Sequence, residues 1–565
     1  DWDGNRARIS AAIRDARKAG ASVLCLPELG ITGYGCEDAF HAPGVQQTAL
    51  EILHDLAGEC RGMVVAIGVP VMVAGGLFNT VAVVVDGEIV AFVAKRHLAG
   101  DGIHYEPRWF KPWPTGVVGS VEIGARDYPI GDLMVECGDI RIGFEICEDA
   151  WVGERPGARQ AAAGVDLILN PSASHFAFGK HEIRKRFILE GARAFFVTYV
   201  YANLVGNEAG RAIYDGDAMI AAEGRILATG PRFSFRDHQV TTAVTDVDAT
   251  RMQRARTSSF RPALPSGPEV IEVPFRLPEA DLETDPRTAP AWESSDELKC
   301  EEFGRAVALG LFDYLRKSRS RGFVVSLSGG ADSAAVSVLV ALAVAWSRRE
   351  LGHAGALAAL GLSRLAAQIP AEAPDAEVVR QLLTTAYQAT RNSSATTREA
   401  AAAVAKGLGA RHFELDVEAL VQGYRERIEG AIGRELSWQQ DDLALQNIQA
   451  RVRAPSVWML ANLDGALLLS TSNRSEAAVG YATMDGDTSG GLAPIAGIDK
   501  AFLRYWLRWM EQRGPADLGP LPSLAAVNVQ PPTAELRPEE SKQTDEDDLM
   551  PYDVLDRIER LAIRD

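Results

Sequence analysis

The chain has 565 residues, of which 47% are hydrophobic and 24% are charged, so it is long enough for more than one domain with its own core. It carries 76 acidic and 58 basic residues, which gives a formal net charge of −18. This excess of negative charge disfavours nucleic acid and anionic membranes as partners, although it leaves room for a local basic pocket that binds a phosphorylated substrate.

The cysteine pattern and the hydropathy narrow the setting further. The six cysteines form neither a CxxC pair nor an even disulfide framework, so zinc and disulfides are disfavoured and a reduced, cytoplasmic location is predicted. The sequence shows no apolar run that we interpret as a membrane span, and no signal peptide. Since the first residue, Asp1, already lies within a predicted helix, we expect a further strand to precede it.

Residues 1–260 alternate between helix and strand patterns. The amphipathic helix pattern "ARISAAIRDARKAGA" is followed by the strand patterns "SVLCLPE", "MVVAIGVPVMV", "TVAVVVDGEIVAFVAK", "IRIGFEIC" and "VDLILNPSAS". The dipeptide Asp86-Gly87 splits the third of these strand patterns into a hairpin. Elements that alternate in this way predict a layered α/β domain.

The character of the sequence changes at residues 261–295, where seven of the chain's 28 prolines lie in "RPALPSGPEVIEVPFRLPEADLETDPRTAP". Proline fixes φ and removes a backbone donor, so an extended linker is predicted here.

Residues 296–565 are predicted to form a second α/β unit. Within it we expect an Ala-rich surface insertion at 347–377 and a helix "TTREAAAAVAKGLG" with a capping box from Thr396 to Glu399.

The first chemical pattern is a cysteine, Cys147, at the end of the buried strand "IRIGFEIC". A cysteine needs a general base and an oxyanion partner to act as a nucleophile. Two other strand ends offer them, because Glu28 ends "SVLCLPE" and Lys95 ends "EIVAFVAK", with Glu106 nearby in sequence. Taken singly, a strand-end cysteine is more often structural, a glutamate after proline usually caps a helix or faces water, and a lysine is usually solvated. The residues alone leave those interpretations open.

Together and in this order, the four residues resemble the nitrilase superfamily, whose members use a Glu-Lys-Cys triad, often with a second glutamate. The motifs "KRHL", "GFEICEDAW" and "NPSASHFAFGK" are similar to those of the superfamily's glutaminase branch. The resemblance covers nearly all of 1–260. It implies an α-β-β-α sandwich with Cys147 as nucleophile and Glu28 as general base. Lys95 would stabilise the oxyanion and favour the thiolate, and Glu106 would be the second acid. The residues that the resemblance implies in glutamine binding are Tyr34, Glu148 and Ser174.

A second chemical pattern, "SLSGGADS" at 326–333, lies between a strand pattern and an apolar helix pattern. Glycines let the backbone approach an anion closely, and the amides at the start of a helix bind phosphate. The wording resembles the pyrophosphate loop of ATP pyrophosphatases, which cleave ATP between the α and β phosphates. It lacks the lysine of a Walker A loop, which disfavours a kinase or GTPase.

Longer motifs follow downstream. The wording "NIQARVR", "TSNRSE", "VGYATMDGDTSGG" and "PIAGIDK" within 443–503, with "PTAELRPEESKQTDEDDLMPYDVLD" at 532–556, resembles the NAD synthetase family. The resemblance implies a doubly wound, Rossmann-like parallel sheet, with ATP as substrate and Mg²⁺ held by Asp332 and Glu476. The implied ATP-binding residues are Ser328, Gly329, Gly330, Asp332, Ser333, Thr471 and Lys500. The implied residues for deamido-NAD are Asn447, Arg451, Glu476, Tyr481, Ala482, Thr483 and Met484.

The two halves together resemble the glutamine-dependent NAD synthetase family. The resemblance implies that glutamine is hydrolysed to ammonia, that the ammonia is channelled, and that it amidates adenylated deamido-NAD to give NAD, AMP and pyrophosphate. It also implies a homo-oligomer, often an octamer. Three alternatives are weighed against it. A synthetase that makes GMP or asparagine would use a different type of glutaminase domain. A tRNA-modifying enzyme would need a basic surface, and the net charge is negative. A non-catalytic scaffold would require the Glu-Lys-Cys set to be a coincidence.

Overall fold

The computed structural model describes residues 1–208, 210–263, 268–278, 290–365, 368–533, 535–538 and 544–564. The chain divides into two compact units, Asp1–Pro290 and Ala291–Asp565, and each is a mixed α/β structure. The division falls inside the segment predicted as a linker. Parts of that segment, 264–267 and 279–289, lie outside the described residues, as do Ala534 and 539–543 of the last NAD synthetase motif.

The first unit holds fifteen strands and six α-helices within its described residues. The strands are β1 (Val23–Cys25), β2 (Val64–Val73), β3 (Gly76–Val85), β4 (Glu88–Ala94), β5 (Val118–Ile123), β6 (Arg126–Gly131), β7 (Met134–Cys137), β8 (Ile140–Phe144), β9 (Leu167–Ser172), β10 (Thr198–Asn203), β11 (Val205–Glu208), β12 (Ala212–Asp215), β13 (Met219–Ala222), β14 (Arg225–Thr229) and β15 (Val270–Val273). The helices are α1 (Trp2–Lys18), α2 (Pro43–Ala57), α3 (Glu106–Trp109), α4 (Pro156–Ala162), α5 (Lys180–Phe195) and α6 (Val247–Arg256).

These strands form two large sheets and one separate hairpin. The six-stranded sheet has the order β1-β2-β3-β4-β6-β5, the seven-stranded sheet has the order β14-β13-β10-β9-β8-β7-β15, and β11 pairs with β12. The β3–β4 hairpin turns at Asp86 and Gly87, both with positive φ, as the sequence predicts. β15 pairs in parallel with β7, so part of the segment predicted as an extended linker is an edge strand of this unit.

The six-stranded sheet is buried on both faces. Val65 and Ile67 of β2 join a core with α1 and α2, whereas Val64 and Ala66 point the opposite way and join a core with Phe144 of β8. The far face of the seven-stranded sheet packs against α5. Side chains alternate between the faces of a strand, so a strand buried on both faces marks an inner layer. The predicted α-β-β-α sandwich is confirmed.

The second unit is built on one parallel sheet with the order β18-β17-β16-β19. Its strands are β16 (Phe323–Ser326), β17 (Leu383–Ala389), β18 (Arg411–Asp416) and β19 (Leu467–Leu469). Its helices are α7 (Leu298–Ser318), α8 (Ala331–Ala359), α9 (Asp375–Leu382), α10 (Ala395–Leu408), α11 (Glu418–Ile432), α12 (Trp438–Asp464), α13 (Arg474–Val479), α14 (Lys500–Gln512), α15 (Ala525–Asn528), α16 (Asp545–Asp548) and α17 (Tyr552–Arg564). The chain order places the inner strand β16 at a topological switch point, where such sheets bind ligands at the carboxyl ends of their strands.

Two local predictions in this unit are wrong. The cap of α10 is Ser394, whose hydroxyl accepts a hydrogen bond from the amide of Thr397, and not Thr396 with Glu399. The segment 347–377 is not simply a surface insertion, because α8 continues through it to Ala359 and buries Ala356 and Leu357 completely. Two residues of that segment, 366–367, lie outside the described residues.

One helix corrects the hydropathy interpretation. α8 is long and apolar enough to cross a membrane by length and composition, although we identified no such run in the sequence. In its most apolar window, 78% of the helix is buried inside the protein. A helix that is apolar all round is expected at the centre of a soluble unit, and α8 holds that place beside β16 and α7.

Candidate active sites

Three strand ends of the first unit bring the predicted triad together. Glu28 follows β1, Lys95 follows β4, and Cys147 follows β8, and all three side chains are buried. The Lys95 ammonium donates to Oε1 of Glu28 at 2.6 Å and to Oε1 of Glu106 at 2.7 Å. Glu28 also accepts from Nδ2 of Asn79 at 2.7 Å. The structure therefore places all four predicted residues in one buried cluster.

The charges in this cluster set the protonation of its members. Burial raises the pKa of Glu28 to about 7, a rise that Lys95 opposes and Glu106 strengthens. Burial by itself lowers the pKa of Lys95, but the charges of Glu106 and Glu28 outweigh it and raise that pKa well above its usual range. Lys95 is thus a permanent cation, whereas Glu28 can take or release a proton near neutral pH.

Cys147 begins a short 3-10 helix, Cys147–Ala150, and has a φ of +45°. Positive φ is costly for a residue with a side chain, and such strain is typical of functional positions. Burial, followed by the negative charge of Glu28, raises the pKa of this thiol far above its usual range despite the nearby Lys95. Lys95 therefore favours the thiolate, as expected, but burial and Glu28 outweigh it, and the thiol stays protonated in the ligand-free site. The thiol needs a base, and Glu28 has the pKa for it.

A residue that sequence reasoning missed, Asp149, ties two catalytic turns together. Its Oδ2 accepts from the amide of Ile146 at 3.0 Å, just before Cys147. Its Oδ1 accepts from the amide of His97 at 2.8 Å, just after Lys95. Asp149 is buried, so these bonds are shielded from water and fix the cysteine turn relative to the lysine turn.

The three predicted glutamine-binding residues lie close to the same cluster. Tyr34 is buried, and its hydroxyl donates to Oε1 of Glu106 at 2.7 Å. Glu148 directly follows Cys147 and is half-buried, and burial raises its pKa. Ser174 is buried after β9, where its hydroxyl accepts from the guanidinium of Arg184 at 3.3 Å.

Three further residues of this region were not predicted. The Tyr34 hydroxyl lies 3.0 Å from Nδ1 of His104, whose Nε2 lies 3.0 Å from Nδ1 of His175. The Lys180 ammonium donates to the same Nδ1 of His175 at 3.2 Å. His175 and Lys180 lie within the motif "NPSASHFAFGK", which gave them no individual role, and His104 lies on a separate loop that only the fold brings next to them.

In the second unit, the predicted phosphate loop joins β16 to α8 in a tight turn. Gly329 has a φ of +86°, and a Cβ there would lie 2.1 Å from the carbonyl oxygen of Thr397. The hydroxyl of Ser333 accepts from the amide of Ser328 at 3.2 Å, and the Ser328 hydroxyl accepts from the amide of Gly330 at 3.3 Å. The loop thereby presents hydroxyls and the start of a long helix, where anions bind.

The two carboxylates predicted to hold a metal meet at one lysine. The Lys500 ammonium pairs with Oδ2 of Asp332 and lies 3.2 Å from Oε1 of Glu476. Nδ2 of Asn473 donates to Oδ1 of Asp332 at 2.9 Å, and Oδ1 of Asn473 caps α13 by accepting from the amide of Glu476 at 3.0 Å. Burial, followed by the charge of Asp332, raises the pKa of Glu476 to about 8 against the effect of Lys500.

A cavity of about 280 Å³ opens over this cluster and the phosphate loop. The predicted residues that line it are Ser328, Gly330, Asp332, Ser333, Thr471, Lys500, Asn447, Glu476, Tyr481, Ala482 and Thr483. Gly329, Arg451 and Met484 are not among the lining residues. Arg451 is exposed and donates to the carbonyl of Met484 at 3.0 Å.

Two other lining residues lie within motifs quoted above but were given no role of their own. Arg453, two residues after the predicted Arg451, lines the cavity and donates to the carbonyl of Gln388 at 3.2 Å. Glu535 also lines it and accepts from the hydroxyl of Thr397 at 2.8 Å. The motif "NIQARVR" contains both arginines, and the helical period alone does not decide which one faces the cavity.

Each of the two units matches the model of a known protein family. The family model for carbon-nitrogen hydrolases matches residues 1–257, and the model for NAD synthase matches residues 304–564. The chain is therefore a ligase in which a carbon-nitrogen hydrolase domain precedes an NAD synthase domain. A glutamine-dependent NAD(+) synthetase from Oryza sativa subsp. indica is 32% identical over 596 residues, 99% of this chain and 80% of that protein.

Solved structures show the same relationship. The crystal structure of a glutamine-dependent NAD(+) synthetase from Cytophaga hutchinsonii shares 41% identity with a TM-score of 0.82, and the match covers 100% of this chain and 84% of that one. A glutamine-dependent NAD+ synthetase from Acinetobacter baumannii, at 20% identity and a TM-score of 0.69, shares the fold over 100% of this chain and 90% of that one. This chain belongs to the glutamine-dependent NAD(+) synthetase family, which confirms the resemblance.

Proposed function

We propose that the chain converts deamido-NAD, ATP and glutamine into NAD, AMP, pyrophosphate and glutamate. The observation that carries the first half is the buried cluster of Cys147, Glu28, Lys95 and Glu106, whose geometry fits amide hydrolysis. The second half is supported by the cavity over the phosphate loop. One chain thus has a site that releases ammonia and a site that consumes it.

In the glutaminase half, Glu28 takes the proton of the Cys147 thiol, and the sulfur attacks the side-chain amide carbon of glutamine. The Lys95 ammonium stabilises the oxyanion of the tetrahedral intermediate. Glu28 then returns the proton to the leaving nitrogen, which departs as ammonia and leaves a thioester on Cys147. Water, activated by Glu28, hydrolyses the thioester and restores the thiol. The three predicted glutamine-binding residues hold the substrate in this proposal.

In the synthetase half, the nicotinate carboxylate of deamido-NAD attacks the α-phosphate of ATP and forms an acyl-adenylate with release of pyrophosphate. Ser328, Ser333 and the amides at the start of α8 hold the phosphates. Lys500 offsets charge at the reacting phosphate, and Thr471 contacts ATP. The lining residues Asn447, Tyr481 and Thr483 position deamido-NAD, with Arg451, Ala482 and Met484 as predicted contacts. Ammonia then attacks the acyl carbon and releases AMP.

Asp332 and Glu476 fit a hard divalent cation. Both carboxylates approach the same Lys500 ammonium, so they lie close enough to share one ion, and Mg²⁺ uses one or two carboxylates together with phosphate oxygens. Within the described residues no cluster of three or more such ligands occurs, which agrees with a site completed by substrate. Mg²⁺ would neutralise charge on the phosphates there.

Ammonia must reach the synthetase site unprotonated, because ammonium is not a nucleophile. We therefore propose that ammonia is channelled within the protein from Cys147 to the phosphate loop. The supporting argument is chemical, since free ammonia is mostly protonated at neutral pH and would be lost to solvent.

The assembly is proposed to be a cytoplasmic homo-oligomer, with an octamer as the size that the family resemblance implies. All six cysteines are free thiols, which suits a reducing compartment. A line of exposed apolar side chains on α11, the α11 stripe, offers a contact surface. Its members are Leu420, Tyr424, Ile428 and Ile432.

The test is NAD formation by the full chain with either glutamine or ammonium chloride as nitrogen source. We expect Cys147→Ala to abolish glutamine-driven synthesis, by at least about 1,000-fold, and to keep ammonia-driven synthesis, because only the first site loses its nucleophile. Cys137→Ala is the matched control, since it removes another buried free thiol of the same unit. Normal glutamine-driven synthesis by Cys147→Ala would refute the first half, and no NAD from either source with the folded parent would refute the second.

A further inference from the structure

A line of hydrogen-bonded groups runs outward from the catalytic carboxylates of the first unit. Glu106 is bonded to the Tyr34 hydroxyl at 2.7 Å, which lies 3.0 Å from His104. His104 lies 3.0 Å from His175, and Lys180 follows at 3.2 Å. Glu106 is fully buried and Tyr34 is buried, whereas the two histidines and Lys180 are half-buried. The line therefore leads from the buried cluster towards water.

The lysine at its outer end fixes how the protons are arranged. A lysine ammonium can only donate, so Nδ1 of His175 accepts from Lys180 and has no proton of its own. The neighbouring Nε2 of His104 must then carry a proton and donate to the same atom. A neutral imidazole carries one N–H, which leaves Nδ1 of His104 vacant and facing the Tyr34 hydroxyl.

Tyr34 consequently has one proton for two acceptors. Its hydroxyl lies within hydrogen-bond distance of both Oε1 of Glu106 and the vacant nitrogen of His104. While Glu106 is ionised, the Tyr34 hydroxyl donates its one hydrogen bond to that carboxylate. When Glu106 receives a proton, the hydroxyl can accept from Glu106 and donate to His104, and every contact in the line is satisfied.

The local charges keep the two imidazoles neutral between turnovers. Burial, and then the charges of Lys180 and Lys95, lower the pKa of His104 to about 4. Burial, and then the charges of Lys180, His104 and Arg184, lower the pKa of His175 to about 3, with Asp215 opposing. Each ring is thus neutral near pH 7 and keeps one nitrogen without a proton, which can accept a proton during the transfer.

The proposed reaction needs such a path because its protons do not otherwise balance inside the site. Glutamine and water give a γ-carboxylate, neutral ammonia and one proton. The ammonia must leave without that proton to serve as a nucleophile, and Glu28 must lose it before the next turnover. Glu28, Lys95 and Glu106 are all fully buried, so a bonded route to the surface lets the proton leave without crossing the substrate pocket that holds the ammonia.

We propose that Tyr34, His104 and His175 form the exit path for the proton released when glutamine is hydrolysed, an inference that rests on the proposed glutaminase function. Glu28 passes the proton to Lys95, which gives one of its own to Glu106. Two transfers then occur together: the Tyr34 oxygen receives the proton of Glu106, and the Tyr34 hydroxyl gives its own proton to Nδ1 of His104. His104 releases its Nε2 proton to Nδ1 of His175, and His175 releases its other N–H proton to water. Each group ends with the charge it began with, but both imidazoles now hold their proton on Nδ1. The two rings must regain their starting tautomers, with no net gain or loss of protons, before the next turnover.

The experiment measures glutamate release from glutamine by the full chain and by the variants His104→Gln and His175→Gln. Glutamine side chains keep polar contacts but cannot relay protons, so we expect kcat to fall about 10- to 100-fold with little change in KM. The solvent deuterium isotope effect on kcat should rise, since proton exit becomes rate-limiting. Added imidazole should restore kcat in His104→Ala, where the lost ring leaves space for it.

His238→Gln is the matched control, because His238 is also half-buried, in the same unit, and bonded to Asp15 instead of to the site. Unchanged kcat in both glutamine variants overturns the proposal. A second outcome also overturns the proposal. In it, kcat falls in a variant whose circular dichroism matches the parent's, but the isotope effect does not rise and imidazole does not restore kcat. That result would describe a structural role. A failure of the proposed glutaminase function would give a different result from a failure of the proton path, since Cys147→Ala would then still release glutamate.

Discussion

At the residue scale, the protonation of Glu28 decides when the first site works. The pKa of this buried carboxyl is raised to about 7, and only its ionised form can take the thiol proton. Activity should therefore be present above that pKa and fall as the pH drops through it. We expect kcat/KM for glutamine hydrolysis to decrease about tenfold per pH unit below about pH 7.

Asn79 provides the means to test that assignment. Its amide donates to the carboxylate of Glu28 at 2.7 Å and so lowers the pKa that burial raises. In Asn79→Ala the acid limb of the profile should move to higher pH, because the charged form loses a donor. A limb that stays in place in Asn79→Ala would assign the titration to a group other than Glu28.

The positions of the candidate catalytic residues could be predicted from the sequence, whereas their electrostatics could not. Glu28, Lys95 and Cys147 follow strands whose patterns are clear, and a family resemblance gives them roles. The state of the thiol depends on burial and on the balance of several charges, which no motif encodes. Lys95 favours the thiolate as expected, but burial and Glu28 have the larger effect. Asp149 and His104 act through contacts that exist only after folding.

At the scale of elements, the turn between β16 and α8 depends on Gly329. This residue has a φ of +86°, and an added Cβ would lie 2.1 Å from the carbonyl oxygen of Thr397. We expect Gly329→Ala to shift the loop or the start of α10, with a loss of about 2 kcal/mol or more in stability and loss of ATP binding. Thermal unfolding and titration with ATP measure the two effects.

Gly352→Ala separates the clash from the backbone effect. Gly352 has a φ of +71° at a kink in α8, and nothing lies within 4 Å of an added Cβ. The cost there should be about 1–3 kcal/mol and come from the backbone conformation alone, with ATP binding intact. Equal effects of the two substitutions would show that the approach of Thr397 has no part in shaping the phosphate loop.

The element boundaries show where local patterns are insufficient. Ser394 and Thr396 are both suitable caps for α10, and the sequence pattern favours the second because Glu399 completes a box. In the structure Ser394 is the cap, and its hydroxyl also donates to Glu535, which is distant in sequence. A tertiary contact therefore decides the start of this helix, as it decides that β15 joins the first unit's sheet.

At the scale of the whole molecule, α11 is the element that a single chain does not explain. None of its residues is buried, although apolar residues recur every four positions along it. The members of the α11 stripe are about half exposed, at 50%, 54%, 51% and 49% for Leu420, Tyr424, Ile428 and Ile432. Residues four apart lie on one face of a helix, so the stripe is a continuous apolar surface of the kind that mediates association.

We expect Leu420→Glu combined with Ile428→Glu to shift the protein to a smaller oligomer, because two charges would have to be buried in the contact. Sedimentation velocity at several protein concentrations measures the shift. Met252→Glu is the matched control, since Met252 is an equally exposed apolar residue on α6, outside the stripe. If the double variant sediments as the parent does, the stripe is not the contact surface, whereas a change in both variants would point to charge alone. Because α11 belongs to the unit that holds the cavity over the phosphate loop, ammonia-driven NAD synthesis by the double variant also shows whether that site needs the proposed contact.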